Sequence, residues 1–263
     1  MPLSVLPHRD DLMRAAAERI AQLAERSIAA RGRFDWALAG GKTPEQLYGL
    51  LARPPYAARI DWARVHFFWS DERCVPPEHA DSNYRMARES LLDRVQPPAD
   101  HVHRMRGEQP PLLEASRYEH ELGAGASGSA ATAPARLDLI LLGMGADGHT
   151  ASLFPGEAAL SERARWVAAT RTGGSGVARL TFRLPLINAA RAVLFLVARR
   201  DKAQTLAAVM GREGASSAAA PVGTAAPVGT AAPVGTAALP AQRVQPTDGE
   251  LEWFVDAEAA ALL

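Results

Sequence analysis

The stretch "RLDLILLGMGADGHTASLFPG", Arg136–Gly156, decides the fold. Its first half is apolar on both faces, the composition of a central parallel strand covered above and below. The run then stops on Gly143, Gly145 and Gly148, with Asp147 and His149 set among them. Polar chemistry therefore stands at the carboxyl end of a buried strand, which is where open α/β sheets bind their ligands.

Working outward, upstream of this strand Leu12, Ala16, Ile20, Leu23 and Ala24 recur at helical spacing, with Gly32 as a stop. "RFDWALAGG", Arg33–Gly41, has the pattern of a buried strand and is followed by a helix from Pro44. "RVHFFWSDE", Arg64–Glu72, predicts a second strand, and Ser82–Val95 a second long helix. Downstream, strands are expected at residues 166–170, 179–182, 192–198 and 251–255, with "RRDKAQTLAAVMG", Arg199–Gly211, as the helix between the last two. Strand and helix alternate throughout. The predicted fold is α/β, a mostly parallel, doubly wound sheet with helices on both faces, in one domain spanning residues 1–263.

Two segments differ from the rest. "GAGASGSAATAPA", Gly123–Ala135, has linker composition and is expected to be a surface loop. The hexapeptide AAPVGT is repeated three times from Ala219. Three copies rich in Pro and Gly cannot close a β-helix, so residues 214–240 are expected to be an expanded low-complexity loop without chemistry.

Lys plus Arg and Asp plus Glu both total 29 in 263 residues. A net charge of zero supplies no field for nucleic acid or an anionic membrane, so any anion must be bound locally. Cys74 is the single cysteine, which excludes an internal disulfide, and no Cys/His cluster has zinc-ligand spacing. The start carries Asp10, Asp11, Arg14, Glu18 and Arg19 where a signal peptide has an apolar run. No apolar stretch approaches the roughly 20 residues of a membrane helix. A soluble, cytoplasmic protein is expected.

Three strand ends carry polar residues. At the first, Gly40, Gly41, Lys42 and Thr43 lead into a helix whose start reads as a capping box, with Thr43 as N-cap, Pro44 at N1 and Gln46 at N3. Uncovered N–H groups there, with the helix dipole, suit phosphate. A tight turn with a good cap accounts for the same residues. At the second, Asp71, Glu72 and Arg73 follow a buried strand directly. Arg73 could hold a carboxylate, a phosphate or a developing oxyanion, whereas nothing marks a base for the neighbouring Cys74. At the third, Gly143, Gly145 and Gly148 spell G-x-G-x-x-G, but no convincing acidic residue follows about 20 positions later, so a dinucleotide is weakly supported. His149 is the better signal. An unperturbed imidazole titrates near about 6.5, close to the working pH of a general base, and Asp147 is placed to orient the ring or a water.

Together "GMGADGHTASLFPG" (Gly143–Gly156), "FFWSDERCVPPEHADSNY" (Phe67–Tyr84) and "LAGGKTP" (Leu38–Pro44) resemble the 6-phosphogluconolactonase family. That family shares its fold with glucosamine-6-phosphate deaminase. The deaminase carries a glutamate where this chain has Phe154 and an aromatic residue where it has Arg73, so the resemblance favours the lactonase. It implies a sugar-phosphate substrate whose phosphate sits on Gly40, Gly41, Lys42 and Thr43 with help from Lys202 and, less centrally, Arg179. It implies that His149 activates water, that Arg73 and nearby N–H groups stabilise the oxyanion, and that Asp147 orients His149 or the water. Neither a metal nor an organic cofactor is called for, and a monomer is expected. A sugar-phosphate sensor of the same fold would need a DNA-reading module, for which the N-terminus offers only one helix before the first predicted strand.

Overall fold

The computed structural model describes residues 2–127, 134–157, 160–161, 163–171, 176–211 and 238–263. The AAPVGT repeat, nearly all of 214–240, and residues 128–133 of the Gly123–Ala135 segment lie outside them. In chain order the first elements are β1 (Leu3–Leu6), α1 (Arg9–Arg31), β2 (Phe34–Leu38), α2 (Lys42–Leu51), α3 (Tyr56–Arg59), β3 (Val65–Trp69) and β4 (Asp71–Arg73). There follow α4 (Asn83–Ala87), α5 (Asp93–Val95), α6 (Pro111–Ser127) and β5 (Leu139–Leu142). The rest are β6 (Val167–Arg171), β7 (Ala178–Phe182), α7 (Leu184–Ala189), β8 (Ala192–Val197), α8 (Ala203–Val209) and β9 (Glu250–Asp256). A π-helical turn, Arg88–Leu92, joins α4 to α5, so the expected helix from Ser82 is continuous with a local widening.

Six strands form a parallel sheet in the order β1-β9-β8-β5-β2-β3. The all-apolar β5 is central, as its composition predicts, and every residue of β5 and β8 is buried. Alternation along β2 and β3 shows why helices cover both faces. Trp36 pairs in register with Phe67, and its ring meets Tyr48 of α2 edge-on at 5.8 Å. Phe68 points the other way, stacks on His103 at 4.5 Å, and His103 meets Glu121 of α6. Across β8 and β9 the register partners Phe195 and Trp253 stack at 3.8 Å. Such cross-strand pairs hold register because a slip of one residue would turn both rings to the opposite face.

Four features depart from the sequence-based expectation. Residues 123–127, expected to open a surface loop, continue α6, because nothing in the Gly/Ala/Ser run clashes with a helix already formed from Pro111. The strands expected at 166–170 and 179–182 leave the parallel sheet; β6 and β7 pair antiparallel with each other, and β7 pairs with β4. Residues 172–177 between them are too few for a parallel crossover, which needs a dozen or more. β1 is unanticipated, being four residues long with exposed central positions. Finally, α2 begins at Lys42 with Gly41 as N-cap, not at Pro44 with Thr43. The reason is the backbone of Gly41, at φ 104° and ψ 168°, which turns the chain in a region only glycine occupies freely. The first helical bond is then Glu45 N–H to the Gly41 carbonyl at 3.1 Å, so Pro44 still forfeits no hydrogen bond.

The loop after β2 is pinned from α2. The buried Tyr48 hydroxyl accepts from Ala39 N–H and donates to the Ala39 carbonyl, both at 2.9 Å. Tyr48→Phe strands both backbone groups and is expected to lower the free energy of unfolding by about 2 kcal/mol. Urea denaturation with an unchanged m-value checks this, and a loss within error would show that the loop is held by other contacts.

Candidate active site

A cleft of about 260 Å³ opens where the carboxyl ends of β2, β3 and β5 meet the edge of the small sheet. Gly40, Gly41, Arg73, His149, Arg179 and Lys202, six residues singled out in the sequence, line it together. Asp147 reaches the cleft through His149. Lys42 does not face it: its side chain is 88% exposed and its ammonium pairs with Glu45 at 3.1 Å. Thr43 lies within the first turn of α2 and offers its backbone N–H rather than a cap.

The His149 turn is closed on itself. Gly145 N–H donates to the His149 carbonyl at 2.8 Å, Gly148 N–H to the Gly145 carbonyl at 3.1 Å, and the Thr150 hydroxyl to the Gly143 carbonyl at 2.8 Å. Within it the Asp147 carboxylate accepts from His149 N–H at 3.1 Å and lies 2.5 Å from Nδ1 of the ring. Burial alone would raise the Asp147 carboxyl. The backbone N–H, charge and ring of His149 outweigh it and hold Asp147 below its ordinary range. An ionised carboxylate only accepts, so Nδ1 carries a proton, and in the neutral ring the lone pair is on Nε2. Phe154 lies against the imidazole at 4.5 Å between ring centroids.

Arg73 and Arg179 are register partners on β4 and β7. Both Nε atoms are buried without a hydrogen-bond partner. Burial, followed by the charge of Arg73, lowers the pKa of Arg179. Two crowded guanidiniums with unfilled donors favour an anion between them. Lys202 adds a third cation, its Nζ 3.2 Å from Asp201.

Beneath the arginines runs a buried layer the sequence reading left out of the site. Asp71 accepts from the Ser152 hydroxyl at 2.7 Å and from the Asn83 amide at 3.2 Å, and both Asp71 and Asn83 line the cleft. Asn83 directly follows the helix cap Ser82 in sequence, the one local signal that could have marked it. Glu72 faces away. Its oxygens accept from the backbone N–H groups of Arg73, Asn83 and Tyr84, while burial pushes the carboxyl up to about 7. Burial likewise pushes the Cys74 thiol up to about 11, with Glu72 and Glu114 adding to it, which argues against a nucleophile. Among the described residues no group of three His, Cys, Asp or Glu side chains is arranged to hold a metal. No described helix is long and apolar enough to cross a membrane. A larger hollow of about 430 Å³ lies beside Tyr84, Arg104 and Arg117. Those two arginines are already engaged by Glu108, Glu114 and Glu121.

Residues 7–253 match the profile of the family described as glucosamine-6-phosphate isomerases/6-phosphogluconolactonase. A 6-phosphogluconolactonase of Nostoc sp. is 38% identical over 262 residues, 99% of this chain and 98% of the relative. The structure of 6-phosphogluconolactonase from Trypanosoma cruzi superposes with a TM-score of 0.80 at 26% identity, covering 100% of this chain and 96% of the other. A monomeric glucosamine-6-phosphate deaminase superposes with a TM-score of 0.77 over the full length of both chains. At 17% identity it shows the shared fold alone.

The closeness of the His149 turn makes a sharp test. A Cβ on Gly145 would stand 2.0 Å from His149 Nδ1 and 2.5 Å from the Asp147 carboxylate. Gly145→Ala is expected to expel the ring from Asp147, removing the downfield proton resonance of Nδ1–H while leaving the far-UV circular dichroism unchanged. A retained resonance would mean that the turn tolerates the methyl group.

Proposed function

The chain belongs to the family of glucosamine-6-phosphate isomerases and 6-phosphogluconolactonases, and we propose that it hydrolyses 6-phospho-D-glucono-1,5-lactone to 6-phospho-D-gluconate, the second step of the oxidative pentose phosphate pathway. One observation carries this reading: an imidazole with Nδ1 held by a carboxylate lines the same cleft as Arg73, Arg179 and Lys202. A base and three cations line one cleft, which is what a lactone bearing a phosphate requires.

In this reading His149 Nε2 takes a proton from water as the oxygen attacks the lactone carbonyl carbon. Asp147 fixes the tautomer and steadies the imidazolium. Arg73 and the N–H groups of the neighbouring loops stabilise the negative charge on the carbonyl oxygen, acting without reorganisation because the backbone already holds them. Collapse of the tetrahedral intermediate breaks the bond to the ring oxygen, and His149 returns its proton there. The phosphate rests on Lys202, Arg179 and the N–H groups of Gly41, Lys42 and Thr43 at the start of α2, where the helix dipole adds to the attraction. Lys42 contributes its backbone here rather than its ammonium. One chain supplies every group, so no second subunit is needed.

The direct experiment follows proton release from freshly generated 6-phosphogluconolactone above its spontaneous hydrolysis, with the unphosphorylated lactone in parallel. Acceleration of the phosphorylated lactone is expected, with little of the other. No acceleration of either would overturn the reading. His149→Ala should lower kcat by at least about a hundredfold, the size of a general-base contribution. Lys202→Met should chiefly raise KM for the phosphorylated lactone, and an unchanged KM would remove Lys202 from the phosphate site.

A further inference from the structure

Lys202 reaches the cleft from a strained turn. The residue that opens its 3-10 turn, Arg199, has φ 86° and ψ 145°. A side chain there is crowded by its own backbone, so the region is close to glycine's alone and other residues persist in it only when the surroundings over-determine them. One carboxylate supplies that constraint. Arg199 N–H lies 3.1 Å from both oxygens of Asp256, at the end of β9, and Asp256 is buried at 5% exposure. The same carboxylate accepts from Ala259 N–H at 2.8 Å, which ties it to the chain after β9. The Arg199 carbonyl in turn accepts from Lys202 N–H at 3.1 Å. The Arg199 side chain is 65% exposed and pairs with Asp201, whose other oxygen meets Lys202 Nζ at 3.2 Å, so its charge has to be separated from its backbone in any test.

We propose that Asp256 is a positioning residue for substrate phosphate: it clamps Arg199 in a glycine-like conformation and thereby places Lys202 in the cleft. The inference rests on the reading that Lys202 contacts phosphate. Without the clamp Arg199 relaxes toward negative φ, the turn rotates, and the ammonium leaves the anion site. The contact that seats His149, its Nδ1 on Asp147, lies within its own turn and does not pass through Arg199 or Asp256.

Asp256→Asn sets an amide N–H₂ against the Arg199 N–H and weakens the clamp. KM for 6-phosphogluconolactone is expected to rise about tenfold, the equivalent of about one good hydrogen bond, with kcat unchanged. Adding Arg199→Gly to Asp256→Asn should restore KM, since glycine holds the conformation unaided. Adding Arg199→Ala should not, because alanine removes the same charge and keeps the strain. Arg199→Gly alone should raise Tm by about 5 °C in a domain of this kind, a result that stands even if Asp256→Asn fails to fold. A lowered Tm would overturn the strain. If Lys202→Met raises KM but Asp256→Asn does not, the clamp is refuted and the phosphate reading survives. If Lys202→Met leaves KM unchanged, the phosphate reading fails and the clamp loses its purpose with it.

Discussion

The chain passes from the parallel sheet to the antiparallel one across Ser70 alone, and the hydrogen bonds of that residue fix how the two sheets meet. Its N–H and its hydroxyl both donate to the Leu38 carbonyl, at 2.9 and 3.0 Å, and its carbonyl accepts from Phe182 N–H at 2.7 Å. Ser70 is fully buried, so each of these groups has to be satisfied within the protein. β2 and β7 are thereby held on opposite sides of one residue, and the cleft opens in the angle between the sheets. β4 then sorts its three charged residues by the two-residue period of a strand. Asp71 and Arg73 face the cleft, while Glu72 points away and receives the N–H groups at the start of α4.

That sorting explains how so much charge can be packed at one rim. Arg73 and Arg179 sit opposite each other across β4 and β7, and their mutual repulsion is only partly relieved by Asp71 below. Asp71 is itself fastened by Ser152 and Asn83, so it cannot swing up to neutralise either guanidinium fully. A permanent positive surface remains above a rigid polar floor. Preorganised charge of this kind costs folding stability and repays it when an anionic group arrives, which is the general relation between strained sites and binding.

Much of this was legible in the sequence because it is written in local patterns. A run apolar on both faces marked β5 as central, and glycines immediately after it marked the place where a ligand could approach. His149, Arg73, Gly40, Gly41, Arg179 and Lys202 do converge on one cleft. What the sequence concealed depends on pairing partners or on unusual backbone. β6 and β7 look like members of the main sheet until the short link between them is weighed. Thr43 looks like a cap, but Gly41 can adopt a conformation that starts the helix earlier. Asn83 and Ser152 belong to the site through Asp71, a contact made across 12 residues in one case and 81 in the other. The Asp256–Arg199 contact spans 57 residues and involves a backbone conformation that arginine gives no hint of.

The His149 turn shows how distant segments secure what a local motif only permits. Its glycines allow the tight path, but several contacts from the C-terminal third hold it. The Thr205 hydroxyl donates to the Ala146 carbonyl, Ala241 N–H donates to the Gly148 carbonyl at 3.1 Å, and Leu239 packs on Gly148. Gln242 then clasps the two flanks of the hexapeptide repeat, accepting from Leu239 N–H at 2.7 Å and donating to the Ala208 carbonyl at 2.9 Å. The chain leaves after α8 and returns at Leu239 to points already joined to each other. The clasp and the contacts on the turn are all built from residues outside the repeat, so the described flanks, Ala208 on one side and Leu239–Gln242 on the other, are what secure His149 from this part of the chain.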